Sequence, residues 1–307
     1  MMKSERGRGN VVVFLVVVVV LLCKGTSSMK VHPTRKDRDR NRNNNGSSSS
    51  SSSSSSSESS SIDERFCLSW RMGVEANNVV AWRTVPTKCE RHVESYILGG
   101  QYDEDLDLIM EQILSYVNST TLSPDGFDAW VLDVDDTCIS NSYYYKSKKY
   151  GIVKLVAGTI LPPRVVKVGQ SVRLAHHKCD PYDPLAFRTW AMKGGCPAIS
   201  GVLQLFNKLI DKGFKVFLIT GRDEQTLAQP TINNLHNQGF IGYERLILRS
   251  GEYKGQSAVK YKSDIRRKLE KEGYRIWGNV GDQWSDLQGD SSGNRTFKLP
   301  NPMYFVP

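Results

Sequence analysis

Residues 130–137 read Trp-Val-Leu-Asp-Val-Asp-Asp-Thr: three carboxylates and a hydroxyl follow an apolar run within five positions. The apolar part reads as a buried strand. Carboxylates crowded at such a strand end repel one another and lose hydration, so a cation or a proton must compensate them, and a divalent metal is expected. A metal-held carboxylate with a second one two residues on can attack phosphorus. Asp133 would be the nucleophile, giving an aspartyl phosphate, and Asp135 the acid that protonates the leaving oxygen. Mg²⁺ takes oxygen ligands and keeps waters, so Asp133, the main-chain carbonyl of Asp135 and Asp282 would hold it, with Asp286 as an orienter behind them. The transferring phosphoryl also needs donors, and the Thr220 hydroxyl, the Gly221 N–H and Lys262 suit it. Lys260, Arg266, Arg267 and Lys268 share the helix of Lys262 as alternatives to it, most of them reading as a solvated face, and Asp136 reads as structural.

These groups need elements to bring them together. Leu106, Ile109, Ile113 and Val117 recur at helical spacing over 104–117. After the acidic run, a helix over 199–210 ended by Gly213 leads to a strand at 215–219. A helix over 223–238 follows, with Pro230 in its first turns or kinking it. Then come a strand at 245–248, a charged helix at 257–272, and strands at 275–280 and 296–299. Strands alternating with helices predict an α/β fold with a mostly parallel sheet covered on both faces. Ligands in such folds sit outside the carboxyl ends of the strands. Asp133 to Asp135, Thr220 to Asp223 and Gly281 to Asp286 all follow strands and would share one rim.

The first 61 residues carry no core. Lys3, Arg6 and Arg8 precede the apolar run Val11 to Leu22, and Gly25, Thr26, Ser27 and Ser28 follow, so 1–28 reads as a secretory signal peptide. A bilayer needs about 20 apolar residues, so no membrane association is expected after cleavage. Residues 29–61 pass from Lys/Arg/Asn-rich into serine and read as a disordered linker. The folded domain is 62–307. Of the net charge of +9, residues 1–46 supply +7, with ten Lys or Arg against three acids, so the domain presents no nucleic-acid surface. Export allows disulfides. Cys67 with Cys89 is the leading candidate pair and Cys179 with Cys196 a second, leaving Cys138 free, although spacing does not fix connectivity. Sequons start at Asn45, Asn118 and Asn294.

Asp-x-Asp-x-Thr at 133–137, Thr220-Gly221-Arg222, Tyr261-Lys262-Ser263 and Gly-Asp-x-x-x-Asp at 281–286 resemble, in order, the four motifs of the haloacid dehalogenase (HAD) superfamily. Cys67-Leu-Ser-Trp-Arg71, Val85-Pro-Thr-Lys-Cys89, Gly278-Asn-Val-Gly-Asp-Gln-Trp284 and Lys298-Leu-Pro-Asn-Pro302 narrow the resemblance to subfamily IIIB, the plant acid phosphatases and vegetative storage proteins. It implies a HAD-like Rossmannoid fold, capless or with a small cap, and a secreted or vacuolar Mg²⁺-dependent phosphatase acting on small phosphomonoesters. The alternative it carries is a storage protein with little or no catalysis, and phosphotransfer to an alcohol would use the same residues. A homodimer is compatible with these residues. Two departures stand out. Similar proteins carry Glu-x-x-Arg after Gly221-Arg222, whereas Glu224-Gln-Thr-Leu227 stands here. Residues 152–178 interrupt the resemblance with five basic residues and no acid; we read them as translated intron or a gene-model error, the alternative being a surface loop. Tyr143, Tyr144 and Tyr145 follow the catalytic strand closely enough to line a pocket, while Trp70, Trp82 and Trp190 read as core or lid packing.

Overall fold

Five parallel strands lie in the order β3-β2-β1-β4-β5 in the computed structural model, which describes residues 54–148 and 183–307. The expected signal peptide, most of the linker, the segment 152–178, Asn45 and Cys179 lie outside the described residues. β1 (Asp128–Leu132) is central and buried throughout. It pairs with β2 (Lys215–Asp223) on one side and β4 (Arg275–Gly281) on the other. β3 (Arg245–Arg249) and β5 (Arg295–Lys298) are the edges. A strand covered on both faces must be apolar on both, which is why β1 and β2 show continuous rather than alternating hydrophobic runs.

Successive residues of β1 serve opposite layers. Trp130 and Leu132 pack with Val216 and Leu218 against α3 (Gln101–Ser119) and α6 (Ser200–Lys212), through Ile113, Val117, Leu205 and Phe206. Ala129 and Val131 face the other way, onto Tyr261, Ile265 and Leu269 of α8 (Ala258–Lys271). The fully buried Trp130 stacks on Phe297 with ring centres 5.9 Å apart. Its register partner on β4 is Gly278, where an added Cβ would lie 2.3 Å from the indole. The tryptophan therefore requires glycine beside it.

A smaller helical layer lies beside the sheet. α1 (Ser54–Glu75), α2 (Glu90–Leu98) and α4 (Ser142–Ser147) share a cluster of Cys67, Trp70, Val93, Tyr96, Tyr144, Tyr145 and Met303. The Cys67–Cys89 disulfide closes it, with Cα atoms 5.3 Å apart. α1 starts within the serine tract, so 54–61 is helical where no structure was expected. Serine costs a helix only roughly half a kcal/mol per residue relative to alanine, and packing of Cys67, Trp70 and Val74 further along anchors the element. α5 (Pro184–Ala191), capped by the Asp183 side chain, and α7 (Glu224–Asn237), with Pro230 in its second turn, flank the site. α9 (Trp284–Leu287) is a single turn after β4.

Candidate active site

The carboxyl ends of β1, β2 and β4 open on a cavity of about 760 Å³ whose floor carries Asp133, Asp135, Arg222, Lys262, Asp282 and Asp286. Asp133 is fixed where β1 meets β4, its N–H donating to the Val280 carbonyl at 3.0 Å. Lys262 reaches across from α8 to donate to Asp133 Oδ1 and, at 2.6 Å, to Asp286 Oδ1. Both side chains of the Lys262–Asp133 pair are 7% exposed. One carboxylate oxygen each from Asp133, Asp282 and Asp286 lies within 4.8 Å of the others. With Asp135 and Asp136, five carboxylates gather here, and among the described residues the direct ion pairs to them come from Lys262 and Arg222. Burial pushes the Asp133 carboxyl well above its ordinary range, against the pull of Lys262. Burial and a neighbouring carboxylate raise Asp136 to about 7 and Asp282 to about 6. An uncompensated, all-oxygen donor set of this kind fits a hard divalent cation.

Asp135 lives in a different environment. Arg222 Nε donates to both its oxygens at 3.1 Å and Nη2 to Oδ1 at 2.8 Å. Asn141 Nδ2 adds a bond at 2.9 Å and the Thr220 hydroxyl one at 3.2 Å. Burial alone would raise Asp135, but Arg222 and these donors hold it below the ordinary carboxylate range. Burial would likewise lower Arg222, and the Asp135 charge outweighs it and raises the guanidinium pKa.

A second layer fixes the first. Asp136 adopts φ +56°, a left-handed conformation that aspartate tolerates; it accepts from the Asn141 N–H at 2.8 Å and the Tyr304 hydroxyl at 2.8 Å. Thr137 donates to Asp282 Oδ1 at 3.2 Å, and Asn301 and Gln283 donate to Oδ2 at 2.6 and 2.8 Å. Arg266, fully buried, donates to the carbonyls of Asp286, Gln288, Asp290 and Ser291, clamping the turn that carries Asp286.

Asp133, Lys262 and Asp282 come together in the cavity, and Gly221 lines it, where an added Cβ would meet nothing within 4 Å. Other placements differ. The Asp135 carboxylate is taken by Arg222 and is not among the three clustered carboxylates, which is compatible with the expected metal contact through its main-chain carbonyl; its anchoring by Arg222 was not foreseen. Asp286, expected behind the ligands, contributes an oxygen to that cluster. Thr220 is fully buried and its hydroxyl serves Asp135, so it is absent from the cavity wall. Arg266 is no part of a solvated face. Of the three tyrosines only Tyr145 lines the cavity, as does Trp82. Cys138 and Cys196 are free and buried among the described residues, and the second expected pairing, through Cys179, lies outside them. Asn118 and Asn294 are exposed. Arg222, Asn141, Asn301 and Tyr304 were missed, although Arg222 stands inside the Thr-Gly-Arg motif itself.

The model of the HAD superfamily, subfamily IIIB (acid phosphatase), matches residues 51–159 and 170–307. The chain belongs to that family. Among relatives, acid phosphatase 1 of Solanum lycopersicum is 38% identical over 244 residues, covering 80% of this chain and 85% of the relative. Vegetative storage protein 1 of Arabidopsis thaliana is 33% identical over 249 residues, covering 80% and 81%. The class C acid phosphatase of Bacillus anthracis shares the fold, with a TM-score of 0.50 at 19% identity over 69% of this chain and 82% of that one. The subfamily IIIB match passes through every strand of the sheet, and the HAD-type acid phosphatase is the enzyme class to which the chain belongs.

Proposed function

We propose that this chain hydrolyses small phosphomonoesters with Mg²⁺ through an aspartyl-phosphate intermediate on Asp133. The observation that carries the reading is the division of the Asp-x-Asp pair: Asp133 is gripped by Lys262 within the carboxylate cluster, while Asp135 is gripped by Arg222 outside it. Two carboxyls in separate environments can take separate roles. Asp133, Asp282, Asp286 and the carbonyl of Asp135 would hold the metal, which when bound offsets the repulsion between Asp133 and the phosphate and keeps Asp133 ionised. Asp133 attacks phosphorus as the ester bond to the leaving oxygen breaks. Lys262 and the Gly221 N–H meet the phosphoryl oxygens. An incoming phosphoryl group offers Arg222 a second acceptor, which loosens its hold on Asp135. With that hold loosened, Asp135 takes up a proton from solvent, gives it to the leaving alcohol, and afterwards takes a proton from the water that cleaves the aspartyl phosphate. Asp136 and Thr137 shape the turn. Steady-state hydrolysis of an aryl phosphate tests this: activity should need Mg²⁺, vanish in EDTA and be lost in Asp133→Asn. Activity that survives both treatments refutes it.

The signal-like leader and the Cys67–Cys89 bridge support export to the cell exterior or vacuole, with glycosylation at the exposed Asn118 and Asn294. A second reading, a storage protein with little turnover, draws on the similarity to vegetative storage protein 1 and on the absent Glu-x-x-Arg. High abundance in storage tissue with negligible turnover would favour it.

A further inference from the structure

Besides the floor carboxylates, the cavity lining carries three further arginines, Arg83, Arg188 and Arg249. Arg249 ends β3 and lines the cavity, and its Nη2 donates to the carbonyl of Tyr253 at 3.0 Å and to that of Gln256. Its guanidinium carbon lies 5.6 Å from the centre of the Tyr261 ring. These contacts fix the group without neutralising it, since no carboxylate pairs with Arg249 among the described residues. Arg83 and Arg188 line the same cavity, also without an ion pair among the described residues. Beyond the floor carboxylates the one acid of the lining is Asp223, which caps α7, accepting from the Thr226 N–H at 3.0 Å and the hydroxyl at 2.7 Å, and its charge reaches Arg188 without forming an ion pair. A cavity of about 760 Å³ is of the size that takes a drug-sized molecule rather than a lone phosphate.

A held, uncompensated guanidinium is a recognition group for a carboxylate or phosphate. We propose that the physiological substrates carry a second anionic group on the body of the ester, read by Arg249 with Arg83 and Arg188 while the reacting phosphoryl sits on Lys262 and Gly221. This rests on the phosphatase reading and narrows its substrate class. The competing account of three arginines in the cavity lining is long-range steering, which would favour every phosphate ester alike and fade with salt.

Non-hydrolysable phosphonates separate the two accounts. Isothermal calorimetry with Mg²⁺ at near-physiological ionic strength compares benzylphosphonate with its para-carboxylated analogue, on the wild type and on Arg249→Gln, which keeps an amide donor for the Tyr253 carbonyl but no charge. The expected result is about tenfold tighter binding of the carboxylated probe by the wild type, falling towards equal binding in Arg249→Gln. The exposed Arg83→Ala and Arg188→Ala variants should each lower the ratio part of the way. A para-phosphonate analogue shows which second anion is preferred. Equal binding of the first two probes by wild type overturns the proposal without any variant, as does a preference unchanged in all three variants. Hydrolysis of phenyl phosphate is measured alongside. Hydrolysis without the binding preference removes this proposal alone, and the preference without hydrolysis removes the catalytic reading alone.

Discussion

Arg222 decides what Asp135 can do. It spends its guanidinium on one carboxylate, with Nη1 donating to the Thr231 hydroxyl at 3.2 Å to steady it. Arg222→Gln should leave Asp135 held only by Asn141 and Thr220 and remove the donor that an incoming phosphoryl group would share. The expected loss is about 10²- to 10³-fold in kcat, in the range for removal of one preorganised donor, with the thermal midpoint reported alongside to separate folding from chemistry. The floor carboxylates make a second prediction. An unfolded chain ionises its aspartates near about pH 3.9, whereas burial first, and then the neighbouring carboxylate, hold Asp136 at about 7 and Asp282 at about 6. Between those limits the folded chain keeps protons that the unfolded chain has released, so stability falls as pH rises from about 4 to 7. The thermal midpoint in EDTA should therefore drop across that window, and Mg²⁺ should flatten the slope. A midpoint in EDTA indifferent to pH, or a slope unaffected by Mg²⁺, would count against a cation site here.

At the scale of elements, close approaches fix the geometry that the side chains use. An added Cβ at Gly281, the last residue of β4, would lie 2.4 Å from Asp286 Oδ2 and 2.5 Å from its Cβ. Gly281→Ala must therefore push Asp286 away from Lys262, and a larger fractional loss of kcat than of stability is expected. In the helical layer, the Cys67–Cys89 bridge spans a sequence separation of 22, for which chain entropy predicts a loss of about 3 kcal/mol in the Cys67→Ser/Cys89→Ser double variant, read by denaturant unfolding. The elements around β1, β2, β4, α6 and α8 were legible in the sequence because burial on two faces or on one helix face writes itself as an apolar run or a 3.6-residue period. α2, α4 and α5 were not expected: they are short, and α4 is little more than the three tyrosines. The site divided along the same line. Asp133 and Asp282 announce themselves by following apolar strands, but the partner of Asp135 lies 87 residues on and that of Asp286, Lys262, 24 residues back. Arg266 looked like one more charge on a basic helix, and only its fourfold grip on main-chain carbonyls shows otherwise. Local pattern encodes burial, and it does not encode which buried charges meet.

For the whole molecule, the open matter is whether residues 152–178 belong to the mature protein. Between residues 51 and 307 the family match omits only 160–169, yet the two helices that bracket the segment already touch. Tyr144 of α4 lies 5.5 Å from the ring of Phe187 and 6.0 Å from that of Trp190, both on α5. Trp190 also donates to Asn141, the residue that holds Asp135, at 3.2 Å. If Gly151 ran directly into Cys179, the seven residues from Lys149 to Tyr182 that would remain could reach roughly 25 Å when extended, ample for two helices in contact. The packing beside the catalytic turn thus makes no demand on 152–178. We expect a chain lacking these residues to fold with a thermal midpoint within about 4 °C of the full chain, the shift that corresponds to about 1 kcal/mol or less, and to keep its phosphatase activity. We also expect mass spectrometry of the native protein, digested with a protease that spares lysine, to recover a peptide reading Lys149-Tyr150-Gly151 directly into Cys179-Asp180. Recovery of internal peptides such as Val165 to Arg173 would instead establish the segment as part of the protein, and a deletion that abolished activity while leaving the midpoint in place would make it part of the site.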